Sequence, residues 1–311
     1  MNCGVCCRNE QTKTPITGAV ESYKEYISTV KTRVSARVDS WYMRNIFESG
    51  KGLRVSFVED ISGVAVNALL VGLRRQRGLS PKTVNRYREV LHRFVNWSMR
   101  FLGVRFPDGR NPVKDAERHR EKAPVIEYMD IPEIRAQLEA LRSDVQLQTM
   151  VAVYIFAGLR RAEALWLTCE DVDLAAGRHG MLRVRAKTLQ GKYWQPKTGI
   201  NRAVPVSSAL RPYLDRYAQH ADPLRLWYFP SPKGTRYDED NFSCRLRWAN
   251  RGAGLSWCCK VYRHTFGTHL AMKGESLYKI SELMGNSPEI CRRHYAAMRP
   301  ESLIESVEFD V

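Results

Sequence analysis

Two arginines in the second half of the sequence stand where they could bind one phosphate group. Arg160 follows a Gly-Leu pair at the expected start of a helix, where free backbone N–H groups and a guanidinium can meet the same anion. Arg263 lies one helical turn after Lys260 in KVYRHTFGTHL, and two cations at that spacing repel each other unless they share an anion. The alternative is that Glu163 merely pairs with Arg160 and that Arg263 lies on a solvated helix face.

Three further positions carry side chains that could act beside those arginines. Lys197 lies in QPKTGINRAVP, at the tip of a predicted β-hairpin, from which a lysine can reach a cleft or a DNA groove. Asn286 is expected in a turn, and Tyr295 at the end of a short helix, behind a run of cationic residues. Taken alone, Lys197 is an ordinary exposed turn lysine. Tyr295 is one of 14 tyrosines, and most tyrosines are half-buried core residues.

The charge of the whole chain favours a polyanionic partner. The 311 residues include 49 lysines and arginines against 33 acidic residues, which gives a formal net charge of +16 and an isoelectric point of about 9.6. Cations recur along the whole chain, and phosphates neutralised by such cations release counterions that drive binding. Nucleic acid is therefore the expected partner, and the alternative is a merely basic soluble protein.

Cysteine usage and hydropathy favour a reducing, cytoplasmic compartment. Adjacent cysteines such as Cys258-Cys259 suit no disulfide framework, and no apolar run approaches the roughly 20 residues of a membrane span. The stretch CGVCC at residues 3–7 could bind zinc, but no second ligand pair has matching spacing, so we expect no metal and no other cofactor. Residues 1–15 are expected to form a flexible N-terminal tail.

A helical domain is predicted over residues 16–103. Its clearest helix begins in SPKTVNRYREVLHRFVNW, with Ser80 as N-cap and a proline in the first turn, and its apolar residues form one buried stripe. A basic helix face can equally be solvated or bound to DNA. Four polar residues are the candidate nucleic-acid contacts of this domain: Lys82, Thr83, Arg86 and Arg93.

A charged segment without apolar period, residues 104–125, is the predicted linker to a second domain over residues 126–299. That domain contains helices and, in MLRVRAKTLQGKYWQPKTGINRAVPVS, strand-like alternation around a turn. The expected fold is therefore mainly α with a small β-sheet or hairpin in the C-terminal domain (α+β). Its two domains could close around a duplex as a C-shaped clamp, and residues 300–311 are a predicted C-terminal tail.

The order of these motifs resembles the tyrosine recombinase family, also called the phage integrase family. Five motifs follow one another through the C-terminal domain: Gly-Leu-Arg-x-x-Glu, a hairpin lysine, Arg-His-Thr-Phe-x-Thr-His, Leu-Met-Gly-x-Ser and a tyrosine. SPKTVNRYREVLHRFVNW is similar to the family's helical core-binding domain. The resemblance implies a site-specific DNA recombinase (integrase). Its implied catalytic residues are Arg160, Lys197, Lys260, Arg263, Asn286 and Tyr295.

The resemblance also implies a mechanism. Tyr295 would attack the scissile phosphate and form a 3′-phosphotyrosyl link, which conserves the energy of the ester without metal or ATP. Arg160 and Arg263 would stabilise the pentavalent state by donating to the non-bridging oxygens. Lys197 would protonate the leaving 5′-oxygen.

Two positions set an expectation about the rate. In this family the position of Lys260 holds His or Lys, and that of Asn286 usually holds His or Trp. An asparagine can donate a hydrogen bond but cannot titrate, so imidazole base catalysis is unavailable at either position, although His264 and His294 are nearby in sequence. Losing one positioned donor typically costs roughly 10²–10³ in rate. We therefore expect a working but slow site in which electrostatic stabilisation outweighs general base catalysis.

Family members act as four protomers on two duplexes and pass through a four-way junction. The resemblance therefore implies a homo-tetramer on double-stranded DNA recombination sites, associated with the nucleoid and with no membrane partner. In MRPESLIESVEFDV an apolar stripe could dock on a neighbouring protomer or pack in cis: Leu303, Ile304, Val307 and Phe309.

Three other functions compete with recombination. The first is a DNA-binding protein with the same fold and a weakened or lost catalytic site, which the presence of both arginines, the lysine and the tyrosine disfavours. The second is a type IB topoisomerase, which the two-domain organisation disfavours. The third is a metal-dependent nuclease, and no cluster of carboxylates accompanies the histidines in the sequence.

Overall fold

A computed structural model of the chain describes residues 12–50, 52–122 and 125–295. The chain divides into two compact units, Met1–Ala123 and Pro124–Val311. Helices dominate, and the described strands form small antiparallel sheets in the second unit, which confirms the predicted mainly α fold. No helix in this part of the chain is both long and apolar enough to cross a membrane. The CGVCC stretch and the predicted C-terminal tail lie outside the described residues.

The core of the first unit is formed by long helices. In α4 the Ser80 hydroxyl accepts a hydrogen bond from the Thr83 N–H (3.2 Å), and Pro81 occupies the first turn, where no N–H donor is needed. The apolar stripe of this helix is buried, as predicted. The helices of the unit are α1 (Ile16–Val30), α2 (Arg33–Phe47), α3 (Gly63–Arg75) and α4 (Pro81–Phe101), and its 3₁₀ turns are Val58–Asp60 and Pro112–Asp115.

Described parts of the segments that were expected to be a tail and a linker pack onto the first unit instead. The backbone N–H of Thr14 donates to Glu59 Oε2 (2.9 Å) and its carbonyl accepts from the Val58 N–H (2.9 Å), so residues 13–15 belong to this unit rather than to a tail. Residues 104–116 also belong to it rather than to a linker. Their apolar residues recur with no regular period, yet four of these side chains are buried in the core of the unit, which stabilises the fold: Val104, Phe106, Val113 and Ala116.

The second unit is built around α6, a helix that is buried on almost every side. Helices α8 and α10 pack against it, so α10 is held on a rigid support. The helices are α5 (Ile131–Ala140), α6 (Val145–Ala157), α7 (Arg161–Leu165), α8 (Arg211–His220), α9 (Glu239–Gly252), α10 (Cys259–Met272), α11 (Leu277–Met284) and α12 (Pro288–Tyr295). The strands are β1 (Val172–Asp173), β2 (Met181–Val184), β3 (Lys187–Leu189), β4 (Lys192–Trp194) and β5 (Arg202–Pro205).

The strand-like alternation in the sequence folds into two sheets rather than one hairpin. Strands β1, β2 and β5 form an antiparallel sheet in that order, whereas β3 and β4 form a separate hairpin. The tip of that hairpin is Gln190-Gly191, where both residues have positive φ (50° and 71°). Because β5 pairs with β2 instead of β4, Lys197 lies on the connection from β4 to β5 and not at the predicted tip.

Candidate active site

The turn between α6 and α7 positions Arg160. Gly158 ends α6 with a φ of 62°, and a Cβ at this glycine would collide with the Phe266 ring. Arg160 then caps α7, and its backbone N–H donates to Glu163 Oε2 (2.7 Å) while its Nη1 donates to Glu163 Oε1 (2.8 Å). Glu163 therefore orients the Arg160 guanidinium from three residues away.

Glu163 also binds an arginine that sequence reasoning missed. The Arg202 guanidinium donates Nη1 to Glu163 Oε1 (3.0 Å) and Nη2 to Oε2 (2.6 Å), and its Nε donates to the Leu283 carbonyl (2.9 Å). Burial alone would raise the pKa of Glu163, but the hydrogen bonds and charges of Arg202 and Arg160 lower that pKa to about 2. The carboxylate is thus ionised at neutral pH. The sequence held one signal for Arg202: it lies two residues before Val204 on the same strand, so it shares the strand face that is buried.

Arg263 extends from α10 to the same place. Its Nη1 donates to the Gly158 carbonyl, and its Nη2 donates to the Met284 carbonyl (2.5 Å) and to Asn286 Oδ1 (3.0 Å). Arg160 Nη2 also donates to Asn286 Oδ1 (2.6 Å), so the two arginines converge on one oxygen atom. Burial, followed by the charge of Arg160, lowers the pKa of Arg263 to about 9, which leaves it cationic at neutral pH.

Asn286 acts as an acceptor, whereas the sequence suggested a donor. It follows Gly285, which ends α11 with a φ of 61°. A Cβ on Gly285 would lie 2.6 Å from Arg202 Nη1, so a glycine is needed for that guanidinium to pass. The Asn286 atom that faces both catalytic-site arginines must be oxygen, because guanidinium N–H groups only donate.

Tyr295 is fully buried at the end of α12. Its ring lies against Gly267 of α10, where a Cβ would be 2.5 Å from the ring Cζ and 2.8 Å from Met284 Sδ. Its hydroxyl lies 3.0 Å from His264 Nδ1. Burial raises the pKa of Tyr295 well above its ordinary 10.0, and the charge of Arg263 acts in the opposite direction.

His264 is a neutral imidazole at neutral pH. Burial lowers its pKa to about 4, and the charges of His294, Lys260 and Arg263 act in the same direction. The His264 and His294 rings also meet edge to face, with centroids 5.5 Å apart. The sequence had placed both histidines near the site without a role, and the structure brings His264 into contact with the Tyr295 hydroxyl.

The two lysines predicted for the site are both exposed. Lys260, in the first turn of α10, lines an open groove of about 690 Å³ together with Arg160 and Arg263. Lys197 lies in a turn, and its ammonium group forms no hydrogen bond or ion pair with the described residues. The structure therefore brings Lys260 to the arginines and shows no contact between Lys197 and them.

The groove is strongly cationic. Its lining includes five basic side chains and one acidic one, which are Arg160, Arg161, Arg247, Lys260, Arg263 and Asp240. Planar guanidinium forks suit two oxygens of one phosphodiester, so the arrangement can hold and polarise such a group. In the part of the chain that the structure describes, no three His, Cys, Asp or Glu side chains are grouped to hold a metal ion.

The predicted nucleic-acid contacts of the first unit occur in two different settings. Lys82 is exposed and Thr83 partly buried, both in the first turn of α4. Arg86 Nη2 (3.0 Å) and Arg93 Nη2 (3.2 Å) both donate to the carboxylate of Asp39, a residue only 1% exposed that sequence reasoning missed. The two arginine side chains pair with this buried carboxylate and remain 37% and 39% exposed.

Fold and site together define a mainly helical protein in which two arginines line a cationic groove. A buried carboxylate orients one of these arginines, and a buried tyrosine packs against the helix that carries the other. The phage integrase family matches residues 125–301, which is more than half of the chain. The chain therefore belongs to the phage integrase family and is a tyrosine-type site-specific recombinase.

Individual relatives and solved structures agree with that family. The chain is 26% identical to the tyrosine recombinase XerD of Pseudomonas aeruginosa over 260 residues, which cover 78% of each chain. It is 27% identical over 255 residues to XerC of Chromohalobacter salexigens, covering 79% of this chain and 80% of the relative. Its fold is similar to that of the Tn1549 transposon integrase in complex with a circular intermediate DNA (TM-score 0.75, 15% identity, 95% of this chain and 100% of the other). It is also similar to that of a lambda integrase dimer bound to a core site (TM-score 0.69, 16% identity, 96% and 80%).

Proposed function

We propose that this recombinase binds double-stranded DNA recombination sites and cuts and rejoins their strands through Tyr295. The observation that carries the proposal is the convergence of Arg160 and Arg263 on a single oxygen, Asn286 Oδ1. A non-bridging phosphate oxygen at that place would accept the same two hydrogen bonds, with a stronger charge-assisted interaction than a neutral amide makes.

The two arginines would stabilise the charge that develops on the phosphate. They are already oriented by Glu163 and by backbone carbonyls, so little reorganisation is needed when the pentavalent state forms. Lys260 at the edge of the groove would add a third positive charge. Such preorganised electrostatic stabilisation is the largest contribution in many enzymes.

Covalent chemistry would follow the family pattern. Tyr295 Oη would attack phosphorus, and the 5′-oxygen would leave with a proton from Lys197, whose exposed turn leaves it able to approach bound DNA. The product is a 3′-phosphotyrosyl bond that stores the energy for religation, so the reaction itself consumes no ATP and calls for no metal.

DNA would also bind to the first unit, where Lys82 is exposed, Thr83 is partly buried, and the Arg86 and Arg93 side chains are 37% and 39% exposed. Contacts of this kind with the phosphate backbone fix register rather than read sequence. We place this protein in the cytoplasm, on nucleoid DNA.

A homo-tetramer on two duplexes, working through a four-way junction, is the assembly we propose. A lambda integrase tetramer bound to a Holliday junction has a similar fold, with a TM-score of 0.69 at 14% identity. We further propose that the apolar C-terminal tail docks on a neighbouring protomer. Truncation after Arg299 should remove tetramers and retain DNA binding, and unchanged assembly would refute the docking of the tail in trans.

The direct test of the proposed function is covalent trapping on a nicked duplex that carries the recombination site. Suitable site DNA comes from the flanks of the genetic element that encodes the protein. The wild type should form a protein–DNA adduct in the presence of a metal chelator, and Tyr295→Phe should not. Tyr278→Phe is a matched control, because Tyr278 is 73% exposed on α11. Tight binding without an adduct in the wild type would instead favour a DNA-binding protein that has lost its catalytic function.

A further inference from the structure

The proposed mechanism requires an acceptor for the phenolic proton of Tyr295. Burial raises the pKa of this tyrosine, so the phenol holds its proton firmly at neutral pH and must lose it as Oη attacks. Asn286 has an amide side chain, which accepts no proton near neutral pH. Lys260 is exposed, and its ammonium group forms no hydrogen bond with the residues that the structure describes.

On the basis of the function proposed above, we infer that His264 is the general base that accepts the phenolic proton of Tyr295. His264 Nδ1 lies 3.0 Å from Tyr295 Oη, within the range of about 2.6–3.2 Å that proton transfer requires. Nδ1 accepts when the ring proton is on Nε2, which is the tautomer needed for this role.

Two elements fix the geometry of this pair. His264 directly follows Arg263 on α10, so the base and one phosphate-binding arginine share a rigid helix. The Tyr295 ring is seated against Gly267, one turn further along the same helix, where a side chain would displace it. The phenol is therefore already hydrogen bonded to its base, and that base stands on the helix that carries Arg263.

The charges around His264 favour its neutral, proton-accepting form. Lys260 and Arg263 act from α10 and His294 acts from α12, where Tyr295 also faces the imidazole. The positive charges of Lys260 and Arg263 disfavour an imidazolium before DNA binds. A bound phosphodiester supplies negative charge beside the same groups, so it would stabilise the imidazolium when the proton is transferred.

The Tyr295 O–H bond breaks and its proton passes to His264 Nδ1, while the oxygen electron pair forms the bond to phosphorus. The bond between phosphorus and the 5′-oxygen breaks, and that oxygen takes a proton from Lys197. Religation reverses both transfers, since the 5′-hydroxyl returns its proton to Lys197 and the tyrosine recovers its own from His264.

His264→Asn separates proton transfer from positioning. An asparagine oxygen can occupy the place of Nδ1 and accept the hydrogen bond from Tyr295, but it cannot hold the proton. Single-turnover adduct formation should fall by about 10²-fold or more, because general base catalysis typically contributes 10²–10⁴. His269→Asn is the matched control, since His269 lies on the same helix and bonds the Met129 carbonyl (2.8 Å), and it should form adduct at the wild-type rate.

The pH profile distinguishes a base from a residue that only holds the tyrosine in place. Between about pH 6 and about pH 8, the wild-type rate should vary little, because His264 stays unprotonated throughout. In His264→Asn the phenol must ionise to solvent first, so the rate should rise by about tenfold per pH unit. A wild-type rate, or a lowered rate with an unchanged flat profile, would overturn the inference. If the asparagine variant fails to bind the nicked duplex, His264→Gln is measured with the same two outcomes.

A second substrate separates the base from the acid. When sulfur replaces the bridging 5′-oxygen, the leaving thiolate needs no proton, so this substrate should restore adduct formation by Lys197→Ala but not by His264→Asn. Restoration of His264→Asn would contradict the role of His264 in accepting the proton. An adduct that persists in Tyr295→Phe would instead refute the proposed function itself, so the two failures remain distinguishable.

Discussion

Replacing Glu163 by glutamine would remove the charge that orients two arginines of the active site. Glu163 is 2% exposed, and its oxygens accept hydrogen bonds from Arg160 (2.8 Å) and Arg202 (2.6 Å). A glutamine of the same shape keeps one acceptor oxygen, but its NH₂ group would face a guanidinium that also donates. The substitution therefore leaves buried cations without their carboxylate.

The expected loss of stability follows from the pKa of Glu163. Its fall from 4.5 to about 2 in the folded protein corresponds to roughly 3 kcal/mol, at about 1.4 kcal/mol per pKa unit. Removing one partner of a buried ion pair typically costs about 3–5 kcal/mol, which agrees. We expect Glu163→Gln to lower the free energy of unfolding by roughly 3 kcal/mol at pH 7.

The loss of stability in Glu163→Gln should depend on pH in one direction. A carboxyl group whose folded pKa is depressed contributes stability above its unfolded pKa, 4.5 here, and that contribution is lost as pH falls through about 2. The difference in unfolding free energy between wild type and Glu163→Gln should therefore be constant above about pH 5 and shrink below it.

Urea unfolding of the full chain, followed by tryptophan fluorescence at several pH values, measures this difference. Glu239→Gln is the matched control, because Glu239 pairs with Arg161 on the surface (3.0 Å) and such pairs contribute about 0–1 kcal/mol. A loss below about 1 kcal/mol in Glu163→Gln, or a loss that does not change with pH, would refute the reasoning about this carboxylate.

Two further substitutions test the packing of Tyr295 against Gly267 and the shared acceptor of the two arginines, Asn286 Oδ1. Gly267→Ala should reduce adduct formation, because the new Cβ would lie 2.5 Å from Tyr295 Cζ; DNA binding measured by gel shift should be retained, and a wild-type cleavage rate would show that this packing is not needed. Asn286→Asp should stabilise the protein by roughly 1–3 kcal/mol, because a carboxylate would accept charged hydrogen bonds from Arg160 and Arg263. It should also lower adduct formation by about 10²-fold or more, since that carboxylate would take the place of the phosphate charge. Calorimetry and trapping check both effects, and a more active Asn286→Asp would contradict the role of this position.

Local signals were sufficient to predict the long helix of the first unit and the order of the site residues. Ser80, Pro81 and an apolar stripe define α4 in the sequence, and all three features act over short range. Arg160 and Arg263 could be recognised because each stands in a motif with a fixed spacing. The pairing of the strands around Lys197 could not be predicted, because alternation does not specify which strand is the partner.

The contacts that join the residues of the site could not be predicted from the sequence. Arg202 and Glu163 are 39 positions apart, and Tyr295 and His264 are 31 apart, so only the tertiary fold shows that they meet. The same holds for Asp39, whose burial beneath basic side chains of α4 depends on how α2 packs against that helix. Each of these contacts places a charged or titratable group in a low-dielectric setting that no local pattern encodes.

Mapping the covalent link tests the central claim most directly. The adduct formed on a nicked recombination site in the presence of a metal chelator would be digested with protease and nuclease, and the peptide that carries the nucleotide remnant would be sequenced by mass spectrometry. The remnant should be attached to Tyr295 through its phenolic oxygen. A remnant on any other residue, or strand cleavage without a covalent protein–DNA product, would contradict that claim.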